Sequence, residues 1–559
     1  MSLPRYTLPA LTVALLTLPV GLGLFFTLAP ALGYMAAPGG PAPFSRLMDW
    51  PGIGPATRLS LTTGFAATAL SLAITALIAA GWQGTRAFAL LHRLLSPLLS
   101  VPHAAAAFGL AFLIAPSGWI ARALSPWLTG WDRPPDWLIV QDSAGLALIA
   151  GLTAKEVPFL LLMLLAARSQ TRSDAHARVA TTLGYPRAIG WLLVAFPTLY
   201  AQVRLPVYVV LAYSMSVVDV AMILGPNTPP TLSVQITRWM SDPDLSLRAV
   251  AAAGALWQLA LVLGALALWR GAEALAARAG TALAMSGHRL PGPNAALRAL
   301  GLALGLAVAL SVLAGLASQA IWSFAGFWGF PDALPDALSL RTWQRHGPML
   351  APIALTTLLI ASLAALLALV LVTGCLEAEA RHVFRMGPAG RLILYLPLLI
   401  PQIAFLPGLQ VLMLTFGLRE GLWPVVLSHL TFVLPYTLIA LAGPFHAIDP
   451  RTFTAAATLG AGPNRRFWRL RLPLLLAPLL TAFAVGFAVS VGQYLPTLLL
   501  GGGRVTTLTT EAVALTSGGD RRAIGAYALA QTAAALLPFA LALALPRLMF
   551  ANRRGMRGG

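Results

Sequence analysis

The sequence predicts an all-α integral membrane protein of about twelve transmembrane helices, built as two parallel six-helix repeats. Three observations predict it. Of 559 residues, 58% are hydrophobic and only 10% charged, and the mean hydropathy is +0.79. A water-soluble chain carries roughly 25% charged residues, so lipid is the solvent for most of this one. Apolar runs of about 20 residues, enough to cross the hydrocarbon, recur along the whole chain. Finally, the two halves align on each other at one fixed offset.

Spans are expected at 9–30, 59–80, 94–115, 144–167, 198–224 and 249–269 in the first half. The second half offers 300–322, 350–374, 392–416, 423–442, 474–499 and 524–546, with kinks or breaks expected near Pro401 and Pro478. The first run follows Arg5 and ends near Ala29-Pro30-Ala31, a pattern like a cleavage site. Its apolar stretch exceeds the usual signal core of about 7 to 15 residues, so it is read as an uncleaved span. The two halves divide the chain into 1–285 and 286–559.

The formal net charge is +19, and the cations sit between apolar runs rather than in one aromatic-rich patch. They are read as loop charges that orient insertion, with the lipid bilayer and not nucleic acid as partner. Placing both termini in the cytoplasm puts about 23 of the 37 basic residues on that side. Arg168, Arg172, Arg178 and Arg187 contribute in one loop, Arg451, Arg465, Arg466, Arg469 and Arg471 in another, and Arg553, Arg554 and Arg557 in the tail. The opposite loops carry Trp119, Trp127, Trp131, Trp137, Trp322, Trp328 and Trp343, expected at the headgroup layer. The single cysteine, Cys375, excludes an internal disulfide and any multi-cysteine metal site. His103, His382 and His446 lie far apart in the chain, so no metal ligands are assigned.

The repeat has an offset of 276 residues, from Thr182-Leu183-Gly184 to Thr458-Leu459-Gly460. At the same offset Pro197 meets Pro473, Ser214 meets Ser490, Leu224-Gly225 meets Leu500-Gly501, and Thr231-Leu232 meets Thr507-Leu508. In so biased a composition Leu against Leu means little. Gly, Pro, Ser and Thr matching in one register mean a duplication, and six spans per copy give both copies the same orientation.

The repeated loops, 174–197 and 450–473, carry Ala180, Thr182, Leu183, Gly184 and Pro197 in one copy and Ala456, Thr458, Leu459, Gly460 and Pro473 in the other. Small residues let a short helix approach another protein closely, and glycine lets the chain turn out of it. In each copy Gly and Pro stand thirteen apart, and a Pro-aromatic pair precedes the loop, Pro158-Phe159 and Pro435-Tyr436. The pattern resembles the EAA loop of ABC importer permeases. The finer resemblance, over Ser214 to Leu232 and Thr506 to Asp520, is to fused, double-length permeases related to those for ferric iron, polyamines and above all thiamine.

This resemblance implies a type I importer permease fold in a bacterial inner membrane. It also implies two copies of a cytoplasmic ATPase that bind the ATP, and a periplasmic binding protein that delivers the solute. The chain departs from the family where its leading Glu is expected: Arg178 and Thr454 stand there, leaving docking to helix shape or to neighbours such as Asp174 and Asp449. A P-loop needs a Gly-Lys pair, whereas Lys155, the one lysine, lies between Ala154 and Glu156. No cofactor and no catalytic residue is therefore assigned to this chain.

Ionised groups within spans point to transport paths or buried pairs. Lys155, Glu156, Arg204 and Asp219 qualify, with Lys155 or Arg204 open to pairing with Asp219 or Glu156. The span after each repeated loop supplies the candidate path: Ser214, Ser216 and Asp219 opposite Ser490, Gln493 and Tyr494. An ion-coupled secondary transporter of two six-helix halves remains the alternative, although Gln83-Gly84-Thr85-Arg86 lacks the acidic signature of the major facilitator family.

Overall fold

The structure, a computed structural model, describes residues 6–34, 42–168, 171–290, 292–381, 383–384 and 387–549. Arg5, His382, Arg553, Arg554 and Arg557 lie outside the described residues. Among the described residues ten helices are long and apolar enough to cross a bilayer, and counting each of two bent pairs as one span brings the number to twelve. The first half contains α1 (Thr7–Ala31), α2 (Ile53–Trp82), α3 (His103–Ile114) and α4 (Leu146–Arg168). A loop helix, α5 (Ser173–Thr182), then leads to α6 (Phe196–Ser216) and α7 (Leu247–Met285). The second half contains α8 (Asn294–Phe324), α9 (Arg341–Ala380), α10 (Gln402–Thr415) and α11 (Leu422–His446). Its loop helix is α12 (Pro450–Thr458), followed by α13 (Leu476–Val491) and α14 (Arg521–Met549).

Prolines set the breaks. A residue before proline is pushed out of the helical region, and Val101 before Pro102 and Ile400 before Pro401 both have ψ near 124° and 123°. The 94–115 run is thus not one helix: a short turn at Ser96–Ser100 ends at Pro102 and α3 restarts at His103. At Pro401 the helix Leu392–Leu399 meets α10 at 87°. The kink expected at Pro478 falls instead at Leu475, where Pro463–Leu474 meets α13 at 72°. Pro478 itself sits in the first turn of α13, where a missing N–H leaves no helical bond unmade. The runs 198–224 and 474–499 are each interrupted, with short helices Asp219–Leu224 and Leu495–Gly501 beyond the gap.

The first helix of each half packs on the other half. α1 lies on α10 and α9, and α8 lies on α3 and α2. Hydrocarbon gives no hydrophobic drive between helices, so close approach through small residues carries such contacts. α8 crosses α3 glycine to glycine, a Cβ on Gly109 falling 2.8 Å from the Gly315 carbonyl carbon. α1 crosses α10 where Gly23 faces the backbone of Phe405 and Gly408 faces the carbonyl of Gly23, leaving no room for any side chain.

The tryptophans divide. Trp127 and Trp137 are exposed, as a headgroup position requires, but Trp322 and Trp328 are buried. They flank the guanidinium of Arg122, which stands 5.6 Å and 4.8 Å from their rings. A buried arginine needs aromatic faces and carbonyls, and these two rings supply the faces.

Candidate functional site

Both repeated loops end their helix in the same hydrogen-bonded turn. After α5, Gly184 N–H donates to Thr181 O and Tyr185 N–H to Ala180 O, each at 3.1 Å. After α12, Gly460 N–H donates to Ala457 O at 3.0 Å and Ala461 N–H to Ala456 O at 2.9 Å. This double bond pattern needs a left-handed residue after the cap, and Gly184 and Gly460 have φ of 83° and 80°. Leu183 and Leu459, just before the glycines, are exposed.

A second shared feature follows. Trp191–Ala195 and Phe467–Arg471 are π-helical, again 276 residues apart, and each ends just before a residue-proline pair, Phe196-Pro197 and Leu472-Pro473. Proline offers no N–H to the carbonyl four residues back and crowds it, so the wider turn absorbs the misfit. The prolines are visible in the sequence, while the wide turn has no compositional sign.

The supports of the two loops differ. Ala180 is fully buried against the first loop's own turn, whereas α12 buries no residue. Asp174 is engaged by Arg168 at 2.8 Å, and this guanidinium holds the carboxyl below the usual carboxylate range. Asp449 caps α12 by accepting from Arg451 N–H at 2.9 Å. In the second loop Arg471 reaches Glu377 of α9 and lies 4.1 Å from the Phe453 ring.

The candidate path residues lie at the breaks after α6 and α13. Ser214 is buried with its hydroxyl unpartnered, and Ser216 donates back to Ala212 O at 2.7 Å. Ser490 pairs with His429 Nδ1 at 2.8 Å, while Thr497 takes the other ring nitrogen at 2.9 Å. Gln493 accepts from Gln402 at 3.3 Å. Tyr494 reaches across the halves to the Met222 sulfur at 3.6 Å. Asp219, also buried, lies within electrostatic reach of Tyr494 and of His103.

Neither intramembrane cation pairs as the sequence suggested. Lys155 turns away from Glu156 and Asp219 and donates to Leu98 O and Val101 O, at 2.7 Å and 2.6 Å, the carbonyls released by the break at Pro102. Arg204 pairs with Glu273 of α7 at 3.1 Å, on which Tyr200 and Tyr208 also converge. Glu156 instead meets His103 at 3.4 Å, whose ring lies 4.9 Å from that of Tyr213. His103 and Gln402 are alike in place, each the first residue after a break-setting proline. Around these breaks the first half gathers an imidazole and two carboxylates, the second two amides. Sequence reading weighed His103 only as a metal ligand and passed over Gln402, and the signal was Pro-His against Pro-Gln at the two broken spans.

Comparison with known proteins follows the same division. Residues 370–557 match the family described as binding-protein-dependent transport system inner membrane component. The inner membrane ABC transporter permease protein YnjC of Escherichia coli (strain K12) is 34% identical over 504 residues, covering 89% of this chain and 88% of that one. The spermidine/putrescine transport system permease protein PotC of Haemophilus influenzae is 31% identical over 140 residues, a quarter of this chain and 54% of that one. PotC of Escherichia coli (strain K12) is 29% identical over 120 residues, or 46% of its length. These relatives are permease subunits of transport systems rather than enzymes, and YnjC is by name an ABC transporter permease rather than an ion-coupled carrier. With a 504-residue match covering 89% of it, this chain belongs to the ABC importer permeases, the multi-pass inner-membrane components of binding-protein-dependent transport systems.

Proposed function

We propose that this single chain forms the whole translocation unit of an ATP-driven importer. Its loops at 174–197 and 450–473 each seat one copy of a cytoplasmic ATPase. ATP binds and is hydrolysed on those subunits, and both termini share their side of the membrane. A periplasmic binding protein delivers the solute to the opposite face. The halves rock about the seam where Ser214, Ser216 and Asp219 face Ser490, Gln493 and Tyr494.

The observation that carries this reading is the duplicated socket: the same left-handed turn and the same wide turn, 276 residues apart, each with an exposed leucine. Neither loop presents the family's acidic residue. Asp174 is tied to Arg168 and Asp449 to its own helix, so leucine shape is what remains for the ATPase to grip. Copurification with the ATPase encoded beside this chain tests it. Leu183→Asp together with Leu459→Asp should abolish the complex, and a complex that survives both would overturn the reading.

The solute is an organic cation, with thiamine and the polyamines as candidates. Glu156 and Asp219 support this, being buried carboxylates beside Tyr213 and Tyr494 with no lysine or arginine bonded to them. Carboxylates and ring faces together attract ammonium groups. The PotC relatives, permeases of spermidine/putrescine transport systems, point the same way. Uptake into proteoliposomes holding the complete transporter separates the candidates, with labelled thiamine and spermidine offered side by side. Asp219→Asn should depress uptake of the true solute while leaving ATPase docking intact.

A further inference from the structure

Each first helix is lent to the opposite half, so two equivalent seams join the halves. Helices that touch at a glycine crossing diverge beyond it, and the wedge between them has to be filled. At the α8–α3 seam the wedge on the side away from the repeated loops is filled from within. Trp322, seven residues beyond Gly315, lies 6.3 Å from the Phe112 ring, with Arg122 and Arg521 at 5.6 Å and 5.4 Å from its own. Those arginines are satisfied: Arg122 donates to Ser117 O and Asp332 O, and Arg521 to Ser117 O and Oγ.

At the α1–α10 seam the residue seven beyond Gly23 is Pro30, and among the described residues Phe26 stands on the wall of the gap but no side chain fills it. An apolar cavity of about 560 Å³ stands there, walled by Phe26, Pro30, Val250, Val411 and Leu414. Arg46 and Arg248 also border it. Arg46 donates to Ser246 Oγ at 3.2 Å, near Asp244. The Asp244 carboxylate is already taken by the Ser246 amide and hydroxyl, both at 2.9 Å. The side chain of Arg248, exposed at the start of α7, makes no ion pair or hydrogen bond among the described residues.

We propose that this wedge binds an anionic phospholipid of the leaflet opposite the repeated loops, one acyl chain between α1, α7 and α10 and its phosphate between Arg46 and Arg248. The inference goes beyond the transport reading and does not depend on it. The equivalent seam serves as an internal control: where the chain supplies Trp322 the wedge is closed, and where it supplies Pro30 an external apolar body takes the place. A protein helix does not fit, because a cylinder about 10 Å across exhausts 560 Å³ in roughly one turn. The two cations at the apolar boundary select a negative headgroup over a neutral one. Because α7 belongs to one half and α10 to the other, the bound lipid bridges the seam.

Native mass spectrometry of the full chain released from mixed phosphatidylglycerol and phosphatidylcholine nanodiscs tests this. The wild type should retain phosphatidylglycerol in preference to phosphatidylcholine. Arg46→Gln with Arg248→Gln should weaken that retention roughly 30-fold, the worth of two cations beside an anionic headgroup. Val411→Trp, which fills the cavity, should remove retention of either lipid, and Leu459→Ala should leave it unchanged. Equal retention of both lipids by the wild type overturns the proposal and requires no variant to fold. So does full retention in Val411→Trp, which would mean a headgroup contact without an inserted chain.

Discussion

Lys155 is the sole lysine of the chain and is spent on structure: its buried ammonium holds the carbonyls of Leu98 and Val101 at the break set by Pro102. An ionised group in hydrocarbon persists only when paired or hydrogen-bonded. Lys155→Met keeps the length and removes the donors, leaving Val101 O short of a partner in a dry place and Leu98 O with only the Val101 amide at 3.3 Å. The expected loss is about 1–3 kcal/mol, read as a lower midpoint of thermal unfolding in detergent. Asp174 gives the opposite kind of test because it lies outside the spans. Its carboxyl is held low by Arg168, so the ion pair stabilises the loop above the unfolded carboxylate value of about 3.9. That stabilisation is lost as pH falls through the lower folded value. The pair is half exposed and its worth is small. Protection of the α5 amides against hydrogen exchange, taken relative to their intrinsic rates, should therefore fall on acidification below about pH 4, and Asp174→Asn should flatten that response.

At the scale of elements, the two repeated loops share one turn geometry but not one support. The first is held by the segment that links the halves. Arg289 donates to Leu183 O at 2.9 Å and stacks 4.2 Å from the Tyr185 ring, while Asn294 accepts the Ala188 amide at 3.0 Å. The second has Ala461 in place of Tyr185 and, among the described residues, no hydrogen bond to that link; Arg466 and Arg471 hold Phe453, and the end of α9 reaches the loop through Glu377 and Arg381. Arg289→Ala should accelerate amide exchange in Leu183–Tyr185 by roughly tenfold and leave Leu459–Ala461 unchanged, since one charge-assisted bond and one ring contact are removed from the first loop alone. Equal protection in both loops would mean that the link is a passive tether. This asymmetry was closed to sequence reading, because Arg289 lies 106 residues from Leu183. The glycines and prolines of the loops were legible because each residue type answers a local backbone demand. The pairing of Glu156 with His103 was not, because apolar runs fix that a helix spans but not which face meets which neighbour.

The same limit appears at the scale of the whole molecule. Span number and duplication follow from hydropathy and one offset, yet nothing in an apolar run says that the first helix crosses over to the other half. The two glycines that permit it, Gly23 and Gly408, are hidden among 50. The chain carries its own reporter of that exchange. Cys375, the one cysteine, sits on α9 and donates to Thr12 Oγ1 of α1 at 3.2 Å, so α1 shields it. A thiol covered this way reacts only when the covering helix moves off, and its labelling rate measures that opening. Gly408→Leu drives a side chain into the backbone of α1 and should lift the helix, raising maleimide labelling of Cys375 by an order of magnitude or more. Gly264→Leu, on α7 with open space at its Cβ position, should label like the wild type. If Gly408→Leu also labels like the wild type while both variants insert normally, α1 does not ride on α10 in the membrane, and the halves are held together by some other contact.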